Sequence, residues 1–186
     1  DGISKAVFEN CSHFRFAAQV KLCTQYGEAG LRLSPWWSPL VDGRFMVNAA
    51  NGEIACFGGR LPFYSFTAAY GVHYAQGQVA WLQITYDPNG LTQAAPATIE
   101  YQLFYQGVAY TSGKLPFDEG NPAEAAEHGA WGELYPAYAG GYVQAPNWNG
   151  GAAFCTAVSF TNIEFEGPSA TPANGTTWGQ LKNLYR

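Results

Sequence analysis

The residues whose spacing best suits them to chemistry are two carboxylates near the end of the chain. In IEFEG, Glu164 and Glu166 stand two residues apart, so on a strand both side chains leave the same face. Two carboxyls about 5 Å apart on a cleft-lining strand are what a retaining glycoside hydrolase needs. The plainer alternative is a pair of solvated edge charges. It is favoured here, because no third acid follows and the chain passes at once into Gly167-Pro168-Ser169. No catalytic residue is therefore assigned. A second acidic group lies in FDEGNPAEAAE, where Asp118, Glu119, Asn121 and Glu124 gather. Oxygen ligands this dense suit Ca2+, which takes six to eight of them. The spacing is not that of an EF-hand, so a solvated acidic loop is the alternative, and no cofactor beyond this candidate Ca2+ is expected. His13, His73 and His128 are far apart. No Ser/His/Asp or Cys/His grouping can be read along the chain, although such groupings form in space rather than in sequence.

Aromatic residues offer a different chemistry. Trp36 and Trp37 sit between Ser34-Pro35 and Ser38-Pro39, and Trp148 follows Asn147 in APNWNGG. Tyr138 and Tyr142 recur in YPAYAGGY. Loop aromatics beside amides are what sugar binding uses: a ring face stacks on the apolar face of a pyranose while amides bind its hydroxyls. The ordinary alternative is that these rings cap the ends of a core. A third reading is a subunit interface, where aromatics are enriched and charge is depleted.

The last residues, TTWGQLKNLYR, follow a Pro/Ser/Ala/Thr/Gly stretch that would normally mark the end of a fold. Trp178, Leu181 and Tyr185 fall at i, i+3 and i+7, one face of a helix that Thr176 or Thr177 could cap. Leu184 adds to the same apolar set. So short a helix is not stable alone in water, so Trp178, Leu181, Leu184 and Tyr185 read as a docking element. Residues 1–166 hold seven basic and fourteen acidic side chains, a net of −7, whereas the tail adds Lys182 and Arg186 and no acid. The expected organisation is a domain at 1–166, a linker at 167–175 and a docking tail at 176–186.

Four cysteines, Cys11, Cys23, Cys56 and Cys155, show no C-x-x-C pair and no neighbouring His at zinc spacing, which argues against a metal site. Two disulfides in an oxidising compartment are expected instead. A strand over Phe14–Leu22 would separate Cys11 from Cys23 by on the order of 30 Å at ~3.3 Å per residue. Disulfide Cα atoms lie within about 7 Å. If that strand pairs antiparallel with the last one, Cys23 meets Cys155 and Cys11 is left for Cys56. The chain opens on Asp1, read as a trimmed chain or as a mature secreted protein freed of its signal; the cysteines favour the second.

The elements that must position these residues are strands. FRFAAQVKL puts Phe14, Phe16, Ala18, Val20 and Leu22 on one face, with Arg15, Gln19 and Lys21 opposite. RFMVNA and EIACFG flank AANG, where Asn51-Gly52 predicts a type I′ hairpin with positive φ at both positions. VAWLQITYD places Ala80, Leu82, Ile84 and Tyr86 together, opposite Trp81, Gln83 and Thr85, and stops at Asp87-Pro88-Asn89-Gly90, where Gly90 is expected to supply the positive φ. TIEYQLFYQ alternates again, with Ile99, Tyr101, Leu103 and Tyr105 on one face. AAFCTAVSFTNIEFE reads as a long strand whose phase shifts near Thr161-Asn162, which fits a bulge. The one helical stretch in the body is PAEAAEHGAW, capped by Asn121. With 12% charged and 16% aromatic residues, the composition suits an all-β, antiparallel β-sandwich. The basic residues form no run, so a phosphate-tracking nucleic-acid surface is not expected. No apolar run approaches the roughly 20 residues of a membrane span.

GLRLSPWWSPLVDGRFMVNAANGEIACFGG followed by VAWLQITYDPNG resembles the concanavalin A-like jelly rolls, laminin-G-like domains among them, and AVSFTNIEFEG resembles their closing strand. The resemblance covers roughly Phe14 to Glu166 and implies a jelly roll whose last strand returns beside the first. The family's hydrolases carry an E-x-D-x-x-E type of strand, which IEFEG does not match. TTWGQLKNLYR resembles an ending found on some secreted bacterial proteins, which implies secretion or surface display. Three readings follow. The first is a non-catalytic extracellular structural protein whose copies associate, as in a filament, with the tail docking on a neighbour. The second is a carbohydrate-binding module for extracellular polysaccharide. The third is a glycoside hydrolase.

Overall fold

Period-2 alternation decides the architecture. In a computed structural model that describes residues 6–8, 12–34, 43–58, 61–117, 137–144 and 157–167, the order of elements is β1 (Ala6–Phe8), β2 (Phe14–Leu22), β3 (Glu28–Ser34), β4 (Gly43–Asn48), β5 (Ile54–Phe57), β6 (Tyr64–Ser65), α1 (Phe66–Tyr70), β7 (Val79–Asp87), β8 (Thr98–Tyr105), β9 (Val108–Pro116), β10 (Ala137–Gln144) and β11 (Val158–Glu166). Two antiparallel sheets face each other. One runs β1-β10-β3-β4-β5-β6 and the other β11-β2-β7-β8-β9. The inward sets expected for β2, β7 and β8 are all buried, and they meet Leu31, Leu33, Phe45, Val47 and Ile54 of the opposite sheet in one core.

Large aromatics fill that core and reach backbone groups with their polar tips, as buried phenols require. Tyr101 Oη donates to the Pro62 carbonyl (3.0 Å), and Tyr105 Oη accepts from Ala75 N (2.8 Å). Tyr74 Oη accepts from Leu22 N and donates to Gln78 O, both at 2.8 Å, which ties the segment before β7 to the end of β2. The short helix α1 caps one end of the core: Ser65 Oγ accepts from Ala68 N, Gly71 takes the left-handed conformation (φ 67°), and Phe66 stacks on Phe45 at 5.4 Å.

The expected return of the last strand is present. β11 pairs antiparallel with β2, from Val158↔Leu22 to Glu166↔Arg15. The expected phase shift is there too. Thr161 opposes Gln19 and Glu164 opposes Ala17, so one extra residue of β11 is accommodated, with Asn162 at φ 49°. A one-residue insertion reverses sidedness. Phe160 therefore faces inward before the bulge, while Glu164 and Glu166 face outward after it.

Two turns differ from expectation. The β4–β5 hairpin forms, but of its two central residues only Gly52 has positive φ (78°). Asn48 Oδ1 accepts from Ala50 N, and Asn48 N donates to Glu53 O, so the side chain of Asn48 and a longer loop replace the type I′ turn. After β7, Asn89 (φ 45°) and Leu91 (φ 52°) carry the positive φ in place of Gly90; Asn89 Nδ2 donates to Pro96 O (2.7 Å), which holds it there.

Neither expected disulfide is made: Cys23 and Cys56 are both free thiols. Cys56 lies fully buried in the core, where it packs as a small apolar residue. Burial pushes its thiol pKa well above the ordinary range. The backbone of Cys23 donates to Ala157 O at 2.8 Å, at the junction where β11 begins. Cys11 and Cys155 lie outside the described residues.

Candidate functional site

Where β11, an edge strand of the five-stranded sheet, faces β10 of the other sheet, the described residues leave the sandwich unfilled. β10 contributes Ala139, Gly140 and Gly141 to the lining of this gap. The ring of Phe160 on β11 lies over Gly141 so closely that a Cβ there would stand 2.8 Å from it. Beyond Phe160, the bulge presents Ile163 and Phe165 from β11 across from Phe16 of β2. An apolar groove of about 340 Å3 results, and no residue lining it has a polar side chain. Phe165 packs on Phe14 (6.2 Å) and Phe16 (6.4 Å), whereas Ile163 is 63% exposed. Gly167, directly after β11, lies against Phe165.

The outer face of the five-stranded sheet carries a polar ladder across all its strands. Arg15 Nη2 donates to Glu164 Oε2 (2.9 Å), Arg15 Nε to Glu166 Oε2 (3.2 Å) and Arg15 Nη1 to Gln83 Oε1 (3.0 Å). Gln83 Nε2 continues to Gln102 Oε1 (2.8 Å) and Thr85 Oγ1 (3.2 Å). Gln102 Nε2 then donates to Glu100 Oε1 (3.0 Å), which also accepts from Thr111 Oγ1 (2.7 Å). Gln83 is buried and fully hydrogen-bonded, as a buried amide must be. The two glutamates raise the pKa of the Arg15 guanidinium, chiefly through the hydrogen bond to Glu164. One row away, Trp81 and Phe104 are register partners on the same face. With Gln102, Glu100 and Thr111 they border a depression of about 300 Å3.

The sequence-derived candidates fare unevenly. Glu164 and Glu166 do share a face, but they converge on one guanidinium. Tyr142, expected on a loop, lies on β10, with Arg44 5.2 Å above its ring and its hydroxyl 3.3 Å from Glu28 Oε1. Arg44 Nη1 bonds both Glu28 Oε1 (2.8 Å) and Gln144 Oε1 (2.6 Å). Tyr142 is thus held in a surface ion-pair cluster and is no loop platform. Tyr138 is likewise on β10, its backbone paired with Val7 and Ser34. Trp36, Trp37, Asn147 and Trp148, the acidic group Asp118, Glu119, Asn121 and Glu124, the helical stretch at 122–131 with His128, and the docking residues Trp178, Leu181, Leu184 and Tyr185 all lie outside the described residues. Among the described residues no three His, Cys, Asp or Glu side chains gather as a metal site, and no helix is long and apolar enough to cross a membrane. Sequence reasoning missed the Trp81–Phe104 pair. Its signal was a Trp and a Phe on the polar phase of two adjacent strands.

Comparison of the sequence with protein-family models and with curated proteins finds no match.

Proposed function

We propose that this protein is a non-catalytic, secreted, cell-surface or extracellular structural protein, a sandwich of the jelly-roll kind whose copies associate through the segment 176–186. The observation that carries the reading is the apolar groove at the seam where β11 gives way to residues 168–186. Among the described residues its lining is wholly apolar and Ile163 stands 63% exposed beside it, a surface that suits an apolar partner, and the sequence supplies an apolar, basic segment after the linker 167–175. A head-to-tail contact of this kind builds a filament when its rotation does not close. The engagement of Glu164 and Glu166 by Arg15 supports the non-catalytic reading, because a retaining mechanism needs one carboxyl free to attack. The test is sedimentation of the full chain against the double variant Trp178→Ala/Leu181→Ala. The reading expects oligomers that dissociate on substitution; identical sedimentation of the two would refute it.

A second reading is favoured by one observation, the Trp81–Phe104 pair beside an ordered row of amide and carboxylate groups. Stacking aromatics next to fixed hydrogen-bonding groups suit a polysaccharide, and the depression is of the size of small ligand sites. Calorimetry with cellohexaose, xylohexaose and chitohexaose, repeated on Trp81→Ala, tests it. Binding lost in the variant supports a glycan-binding face, and binding unchanged in the variant or absent throughout removes it.

A further inference from the structure

We infer that the groove between β10 and β11 is the receptor for residues 176–186 of a second copy of this chain, with Trp178 and Leu181 entering it. The inference rests on the self-association reading above and adds the surface on which the tail docks.

Three observations select this occupant. The first is size. The groove, about 340 Å3, is more than twice the roughly 150 Å3 cavity that takes a benzene ring, which leaves room for an indole and an aliphatic side chain together. The second is chemistry. The wall has no polar side chain, and Ile163 stands largely exposed at its rim, so an apolar face is the fitting complement. Trp178, Leu181 and Tyr185 supply one at helical spacing. The third is charge and reach. The tail adds only Lys182 and Arg186 to a body of net −7, which favours encounter within about a Debye length. The stretch 167–175 spans up to ~30 Å when extended, long enough to cross to a neighbouring sandwich. Ala139 and Gly141 make the receptor: larger residues at either position would fill it from within, and Phe160 already closes one end over Gly141.

The experiment uses the full chain with p-benzoylphenylalanine at position 163, prepared as an equal mixture of 14N and 15N copies, irradiated, digested and read by mass spectrometry. The expected result is a crosslink from position 163 to a peptide within 176–186, with half of the crosslinks joining light to heavy copies. Crosslinks to 176–186 confined to one isotope show the tail folded back on its own sandwich; that overturns the trans receptor and the self-association reading together. Crosslinks elsewhere in a protein that is still oligomeric overturn the groove assignment and leave self-association standing. As a second variant, Ala139→Phe fills the groove from β10, and the expected result is at least a tenfold weaker association at unchanged secondary structure.

Discussion

Two glycines on adjacent strands of one sheet should respond oppositely to the same substitution. Neither Gly30 nor Gly141 has φ in the left-handed region, so what a Cβ would meet decides the outcome. At Gly30 on β3, a Cβ would fall on the Phe45 carbonyl oxygen, with Met46 Cα 2.8 Å away. These are backbone atoms of β4, fixed by the ladder Gly30↔Met46 and Leu31↔Phe45, and they move only if the two central strands part. Overpacking in a core costs about 1–3 kcal/mol, and this case lies at the upper end. For a domain of this size a cost of ~3 kcal/mol lowers Tm by about 6–12 °C. At Gly141 the atoms nearest to a Cβ all belong to the Phe160 ring, a half-buried side chain able to swing into the groove. The loss there should stay near ~1 kcal/mol, partly offset by the stabilisation an added Cβ gives through the unfolded chain. The displaced ring would occupy the groove, so Gly141→Ala should weaken self-association severalfold while Gly30→Ala weakens folding. Urea denaturation with light scattering on both variants measures the two effects. Equal stability losses, or a neutral Gly30→Ala, would refute the close approach of β3 and β4 on which the argument depends.

Other outcomes follow from the same geometry. A thiol reagent at pH 8 should modify exposed Cys23 in the native protein and spare Cys56 until denaturant is added, since the buried thiol is held protonated. Stability should fall in base. Burial raises the pKa of Tyr101, and burial followed by the hydrogen bond with Tyr70 pushes Tyr64 up to about 12. An acid whose folded pKa exceeds its unfolded value loses its proton first in the unfolded chain. That stabilisation is therefore complete below the unfolded pKa and is lost as pH rises toward the folded one. Denaturation midpoints should hold to about pH 8.5, where an unfolded thiol begins to ionise, and then drop across pH 10 to 12; in Tyr101→Phe the drop should be shallower. Glu164→Gln should cost less than ~1 kcal/mol, because the carboxylate and its pairing with Arg15 are half exposed and screened by solvent; a coupling energy above ~2 kcal/mol in a double-mutant cycle with Arg15→Met would show the pair to be stronger than its exposure allows.

Much of the fold was legible because β2, β7 and β8 are half-buried strands whose alternation is unbroken. The return of β11 beside β2 and its bulge were legible for the same reason, through a phase that breaks at Thr161-Asn162. Other strands were hidden by tertiary causes. β10 carries Gly140-Gly141 in its interior, which reads as a loop, yet Gly141 is small because Phe160 from the other sheet lies over it. β9 holds Gly113 at φ 65° and ends on Pro116, features an edge strand tolerates. The five-residue α1 is too short to show a period, and only its caps, Ser65 and Gly71, mark it. The turn errors at Asn51 and Gly90 arose where side-chain hydrogen bonds from Asn48 and Asn89 override the usual glycine preference. Of the candidate sites, the polar residues that β11, β2, β7 and β8 give to the ladder lay on the outward phase of strands that could be read, whereas Thr111 lies on β9, which could not. Their alignment depends on a register that no single strand encodes. The groove was invisible because it forms where β10 of one sheet faces the β11 edge of the other, with Phe16, Ala18 and Leu31 completing its wall from far away in sequence.

The most direct test of the central claim is the solution mass of the intact chain and of a chain ending at Gly167, measured by light scattering under non-reducing conditions. The account predicts a polymeric intact protein and a monomeric shorter one with the same denaturation midpoint for its sandwich. Two monomers of equal stability would contradict it.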